Sequence, residues 1–365
     1  MARLTGLATV AVCSLSLGGL SACDGSGGQT GQLDGASGSG CRPIQGTKNI
    51  LQSSLSAADA YGELVSDGQS VYFAGTRSVY RVPASGGVSQ VLYSGPLGVQ
   101  LAAAAGTVAW VPFAPDNVTP AGLTVENAAG VHAVAFPDGV LPAAGSAILV
   151  GGDGSVYFEV DVSTDSRSHT WTWSPATGVA GEMPGVGMPA TGAGTNLYWV
   201  DRGEIFWSNN VAGPAGGMYA TELSTGVPQQ ITDDSTTDFG GLAGVDAKNL
   251  YGFASSCVNS PCPFTVYGAS RAGGGTPFVA YQSATAYWTA SPAQVDDTGL
   301  YWVDWTNDAI YHAAMTPGAP AELAAQLLAP GAEGTVPATF AMDACNLYWL
   351  TTDATGAPAV MATAK

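Results

Sequence analysis

Hydrophobic positions in this chain gather into short runs, with neither the two-residue alternation of a half-exposed strand nor helical spacing. The runs are near-copies of one another. They read "SVYFAG" (Tyr72), "TVAWVP" (Trp110), "SVYFEV" (Tyr157), "NLYWVD" (Tyr198), "NLYGFA" (Tyr251), "GLYWVD" (Tyr301) and "NLYWLT" (Tyr348), at intervals of roughly 40 to 50 residues. An apolar run of this length, rich in Tyr, Trp and Val, reads as a strand buried on both faces. The flanks repeat as well. An Asp stands five residues before the aromatic at Asp67, Asp246, Asp296 and Asp343, and four before it at Asp153. Those segments predict hairpin turns, because Asp bonds nearby backbone and tolerates unusual dihedrals. A third strand follows each motif ("SVYRVP", "VHAVAF", "HTWTWSP", "GMYATEL", "TVYGAS", "AIYHAAM", "AVMATA"). A Gly/Pro turn and a short fourth strand such as "SQVLYS" or "PQQIT" complete the unit. Helix is excluded on two grounds. Gly and Pro supply 50 and 22 of the 365 residues, and no stretch after Cys41 holds a 3.6-residue period for three turns. Even "QLAAAAG" reads as a strand.

A repeat of this length matches a four-stranded propeller blade. The expected fold is therefore all-β, a β-propeller of about seven four-stranded blades, with the unit around Trp110 the least regular. The last unit offers only three strands before Lys365, while "TKNILQSSL" (Thr47 to Leu55) resembles the fourth-strand segments. The N-terminal strand is thus expected to complete the last blade, which leaves no free sheet edge. On these residues the chain resembles the YWTD and NHL-type propellers, and more closely the secreted bacterial propellers with LYW-type repeats. The likeness covers Lys48 to Lys365 and departs from YWTD at its third position, where this chain reads "YWVD". The resemblance implies that Asp201 and Asp304, which end "YWVD" strands, tie blades together. It leaves activity open, since such families range from protein-binding scaffolds to lyases and sugar-lactone hydrolases.

The N-terminus adds an address. Arg3, the run "LATVAVCSLSLGGL" and the ending "LSAC" read as an export signal over residues 1–22. The ending resembles a bacterial lipobox, which implies cleavage before Cys23 and acylation of that residue. Residues 23–46 then form a lipidated Gly/Ser-rich linker and residues 47–365 one propeller domain. Acyl chains on Cys23 would hold the protein to the bacterial membrane on its periplasmic or cell-surface side. Four further cysteines remain, an even number in an exported chain. "CVNSPC" pairs Cys257 with Cys262 and leaves Cys41 for Cys345. A zinc site is the alternative. A Cys41–Cys345 bond spans a loop of about 300 residues, worth roughly 5 kcal/mol in the chain-entropy model. Charge narrows the partners: net −18 with pI near 4.1 argues against nucleic acid.

Candidate chemistry is sparse. His132, His169 and His312 fall in separate units, on presumed third strands away from the axis. No G-x-S-x-G or phosphate-binding glycine loop occurs. The acids Asp233, Asp238 and Asp296 are candidates for Ca²⁺ or another divalent cation at inner-strand ends, although the spacing is not that of an EF-hand. Trp171 and Trp173 share one side of a strand and read as packing. Trp305, past a strand end, is the candidate contact residue for an envelope protein or a carbohydrate. The expected function is a non-catalytic, monomeric binding scaffold with no cofactor. The alternative is a lyase or lactone hydrolase with a divalent metal in the central channel.

Overall fold

The computed structural model describes residues 42–51, 63–75, 77–116, 119–137, 140–143, 147–162, 168–183, 186, 195–201, 203–209, 217–232, 239–254, 263–287, 293–304, 307–317, 319–327, 339–352 and 358–365. Every element named among them is a strand. The strands pair into antiparallel meanders that run outward from an inner edge. From the inside out, blade one is Leu64–Ser66, Ser70–Ala74, Ser78–Pro83 and Gln90–Ser94. Blade two is Leu97–Ala104, Thr107–Pro112, Leu123–Asn127 and Gly130–Val134. In blade three, Val140–Pro142 and Ile148–Val150 share the inner position against opposite halves of Val156–Val162; Ser168–Trp173 and Ala180–Glu182 follow. Blade four is Thr195–Asp201, Glu204–Asn209, Gly217–Glu222 and Pro228–Thr232. Blades five (Phe239–Val245, Asn249–Ala254, Pro263–Ser270, Phe278–Tyr287) and six (Ala293–Asp296, Gly299–Asp304, Ala309–Ala313, Glu322–Gln326) merge into one eight-stranded sheet through a parallel bridge, Gly244 to Val295.

The last sheet closes the ring as expected. Its inner three strands are Phe340–Met342, Asn346–Thr352 and Pro358–Ala364, and the N-terminal Lys48–Asn49 pairs outside them. Beyond that pairing, the Ile50 N–H donates to Val360 O and the Gly87 N–H of blade one donates to Ile50 O. The Ile44 N–H donates to Asn346 Oδ1, while Asn346 Nδ2 donates to Arg42 O. Residues 42–51 therefore strap blade seven to blade one. Cys345 is disulfide-bonded, and its Cys41 candidate partner lies outside the described residues, as do Cys257 and Cys262.

Packing explains why the strands carry unbroken apolar runs. Successive side chains on a strand point to opposite faces, and here both faces meet a neighbouring blade. Tyr72 and Ala74 pack against Leu101 and Trp110 of blade two, while Val71 and Phe73 pack against Tyr348 and Val360 of blade seven. The same split recurs around the ring. The residue at the Tyr72 position faces the next blade: Tyr157 meets Trp207, Tyr251 meets Trp302, and Tyr301 meets Trp349. The following residue faces the previous one: Phe158 meets Val125, Trp302 meets Tyr281, and Trp349 meets Val303. Ile44, Ile50 and Leu51 of the strap fill the core between blades seven and one.

This facing rule corrects two readings of the sequence. "NLYWVD" is the inner strand of blade four. The counterpart of "GLYWVD" is instead "EIFWSN", in which Phe206 faces blade five and Trp207 faces blade three. Asp201 then stands five residues before Phe206 and pairs with Glu204, as Asp296 pairs with Gly299. In blade two the third strand is Leu123–Asn127, so "VHAVAF" supplies the fourth. Blade two also lacks a turn Asp. Its first hairpin uses Ala105 and Gly106 with φ of 49° and 74°, the left-handed pair of a tight two-residue turn.

The bridge between blades five and six depends on one glycine. Gly244 has φ of +151°, and a Cβ there would lie 2.7 Å from Val295 O and 3.0 Å from Val295 N. Gly274 also has positive φ, +68°, but faces open space. Gly244→Ala should therefore destabilise the protein by about 2–4 kcal/mol and Gly274→Ala by about 1 kcal/mol. Paired urea melts check this ordering; equal costs would show that backbone approach at the bridge is not tight.

Candidate functional site

The inner strands have two chemically different ends. At one end lie the Asp turns. Asp67, Asp246 and Asp343 share one arrangement. Oδ1 accepts the N–H groups two and three residues on, and Oδ2 accepts the hydroxyl of Tyr72 (2.9 Å), Tyr251 (2.6 Å) or Tyr348 (2.6 Å). Each carboxylate thus fixes its hairpin and orients the tyrosine that packs against the next blade. Asp153 holds its own turn through the Ser155 N–H and hydroxyl, both at 2.9 Å. Asp304 accepts from Asn307 N and Nδ2 and so braces a local turn. The side chain of Asp201 lies outside the described residues.

Two blades add a cation. Arg271 and Lys365 occupy the same position, one residue beyond a third strand. Arg271 donates to Glu204 of blade four and to Asp246 O, with its guanidinium 4.9 Å from the centre of the Phe206 ring. Lys365 donates to Asp296 of blade six, its ammonium 5.8 Å from the Tyr301 ring centre. Asp296 and Lys365 are 7% and 6% exposed, so this pair is desolvated, and removing either partner would cost about 3–5 kcal/mol. Asp296 Oδ1 meanwhile accepts from Thr298 N, Thr298 Oγ1 and Gly299 N. Both oxygens of this candidate metal ligand are engaged in holding the fold.

At the other end, the strand Leu64–Ser66 is preceded by Glu63. Glu63 Oε2 accepts the Leu101 N–H of blade two's inner strand, immediately after an irregularity in which residues 98–100 oppose only Val111. Burial pushes the Glu63 carboxyl up to about 8, and the Leu101 N–H offsets this in part. Glu63 went unnoticed in the sequence because a lone Glu before a three-residue strand carries no motif. Its only signal is a carboxylate next to an inner-strand start, the reasoning that selected Asp238 before Phe239.

The remaining candidates do not assemble with it. Asp233, Asp238 and Trp305 lie outside the described residues. His169 and His312 sit on third strands, beside Glu182 (2.9 Å) and Thr298 O (3.2 Å) respectively. His132 sits on a fourth strand, 5.8 Å from the Trp173 ring. Trp171 and Trp173 are buried in the core between blades two and three, as packing residues. Among the described residues, no three His, Cys, Asp or Glu side chains are grouped to hold a metal ion.

Comparison with known proteins gives the fold and stops there. No family model and no curated protein matches the chain. Solved structures do. The β-propeller domain of the Trilobed protease from Pyrococcus furiosus, described as having an open velcro topology, aligns over 84% of this chain and 93% of its own, at 9% identity and TM-score 0.57. An oligogalacturonate lyase in complex with manganese aligns over 81% and 85%, at 11% identity and TM-score 0.54. The chain also spans 42% of a prolyl endopeptidase, at 14% identity and TM-score 0.49. The chain is a β-propeller, and at these identities the likeness shows the fold alone.

The tyrosine latches carry a pH signature. Burial, followed by the neighbouring carboxylates, raises the hydroxyls of Tyr72 and Tyr348 well above the usual phenol range; burial first, then Asp153 or Asp246, pushes Tyr157 and Tyr251 up to about 12. The unfolded chain then loses these protons first, near pH 10. The stability they contribute is complete below pH 10 and is lost as pH rises through about 12. Urea melts between pH 9 and 11 should show wild-type stability falling, and Tyr251→Phe falling less steeply from a starting point about 1 kcal/mol lower. Parallel slopes would contradict the latch.

Proposed function

We propose that this protein is a lipid-anchored scaffold of the bacterial cell envelope, tethered through Cys23. It binds an envelope protein or a carbohydrate through loops at the end of the disc opposite the Asp turns. One observation carries the reading. First and second strands are joined by short turns such as 67–69, 105–106 and 246–248, at the Asp end. Second and third strands are joined at the other end by segments whose length varies more widely, from three residues at 75–77 to ten at 113–122. Uniform turns serve the fold, and variable connections on a rigid frame are where recognition concentrates. Trp305 lies in one such connection and supplies the aromatic anchor.

The metal-dependent enzyme is the competing reading, and the same end of the channel would hold it, with Asp233 and Asp238 as ligands. Cys41 and Cys345 form the bond that fixes the tether to the last blade, since Arg42 O and Ile44 N both meet Asn346 beside Cys345. Cys257 pairs with Cys262.

Three measurements on protein extracted from membranes test this. Cys23→Ala should move the protein into the soluble fraction. Non-reducing peptide mapping should recover the two named disulfides. Trp305→Ala should weaken capture of the envelope ligand at least tenfold with an unchanged melting curve. One stoichiometric divalent ion per chain, retained in non-chelating buffer, would favour the enzyme instead.

A further inference from the structure

We propose that the Asp end of the disc lies against the membrane surface, with exposed apolar side chains on its rim touching lipid and the variable loops turned away. The inference rests on the lipid anchor at Cys23 given above. Six of the eight large apolar side chains that stand exposed among the described residues share one place in the repeat. Val88, Val131, Val179, Val227, Phe278 and Leu323 lie within two residues of the start of a fourth strand, one in each of blades one to six. That place is at the Asp end, because third strands run back towards the Asp turns: Ser70 pairs with Pro83, Val156 with Trp173 and Asn249 with Ser270. A single exposed apolar residue is ordinary on a protein surface. The same place filled in six blades gathers them on the rim of one face. Val88, Val179 and Val227 follow turn glycines and are 70%, 66% and 64% exposed, where a polar residue would serve the hairpin as well.

Blade seven differs, and its difference says what covers the rim. Its fourth strand is Lys48–Asn49, which the chain enters from the tether. Arg42 O and Ile44 N both meet Asn346, at the start of blade seven's second strand. The described chain thus begins at the Asp end, nearer the axis than the rim. Residues 24–41 separate Arg42 from Cys23. A Gly/Ser-rich chain of that length has a root-mean-square span of about 25 Å. The anchor therefore keeps the Asp end, and not the loop end, next to the bilayer. It also makes lipid contact intramolecular, so that several weak apolar insertions act together. Exposed charges at this end have both signs, among them Arg42, Lys48 and Lys248 against Asp153, Glu222, Asp297 and Glu322. Cations do not dominate, so the contact is apolar and persists in high salt. In this orientation the connections between second and third strands face a partner beyond the membrane surface.

The test uses full-length protein in vesicles of phosphatidylethanolamine and phosphatidylcholine, part of the latter brominated along its acyl chains to quench nearby tryptophan. Val227→Trp reports the rim. Leu141→Trp reports the other end, where Leu141 is exposed and pairs with Asp161 near the end of blade three's second strand. The fluorescence that Val227→Trp adds to wild type should be quenched at least threefold more than that added by Leu141→Trp, at about 0.1 M and about 1 M salt alike. Equal quenching, or stronger quenching of Leu141→Trp, would overturn the proposal. So would a dimer in detergent that Val179→Ser with Leu323→Ser converts to a monomer, which would assign the rim to a second copy of the chain. The mass of the N-terminal peptide separates the two readings. Absence of an acyl group on Cys23 sinks the anchor and the orientation with it, whereas an acylated protein without the quenching difference sinks the orientation alone.

Discussion

A strand with two buried faces, each owed to a different neighbour, is the constraint on which this fold rests. Tyr348 and Trp349 are adjacent in sequence, yet one packs against blade one and the other against blade six. Because side chains alternate, no blade can satisfy both faces alone, and the apolar run has meaning only in a ring. The Asp turns serve this arrangement. By taking the tyrosine hydroxyl on one oxygen and the turn amides on the other, Asp343 lets a large polar aromatic lie at 0% exposure without a stranded hydroxyl.

Closure follows from the same logic. An array of such blades would leave an apolar face bare at each end. Here blade seven's forward face and blade one's rear face meet, and Ile44, Ile50 and Leu51 complete the shared core. The contacts of residues 42–51 join positions about 300 apart in sequence, including Ile44 with Asn346. Arg271 and Lys365 act at a smaller scale, each lying over the aromatic of the preceding blade and bonding a carboxylate there. Leu223 fills the same place against Tyr157, and Met315 against Tyr251, so the position is defined by the ring it covers and tolerates either an apolar or a cationic side chain.

Much of this was legible in the sequence because it repeats. The period, the Asp turns and the closing strand all announce themselves as near-copies. The errors arose where resemblance and position part company. "NLYWVD" looks more like the consensus than "EIFWSN" does, but only facing direction separates an inner strand from a second one, and direction is not written in a single run. Blade two deviates because Ala105–Gly106 makes its hairpin by backbone conformation, with no Asp to see. The site was less legible still. Asp296 is one of the repeated acids and so drew notice, yet its repetition reflects the hairpin and the Lys365 pair. Glu63 occurs once, and its chemistry comes from burial, which no local pattern encodes.

The most direct test of ring closure is hydrogen exchange on a chain that lacks residues 42–51. Loss of the strap should strip protection from Phe340–Met342, Asn346–Thr352 and Leu64–Ser66, while Gly217–Glu222 of blade four, across the ring from the opened seam, keeps most of its own. Unchanged protection in the first and last blades would mean that the blades hold the ring without the strap, and would contradict the central claim.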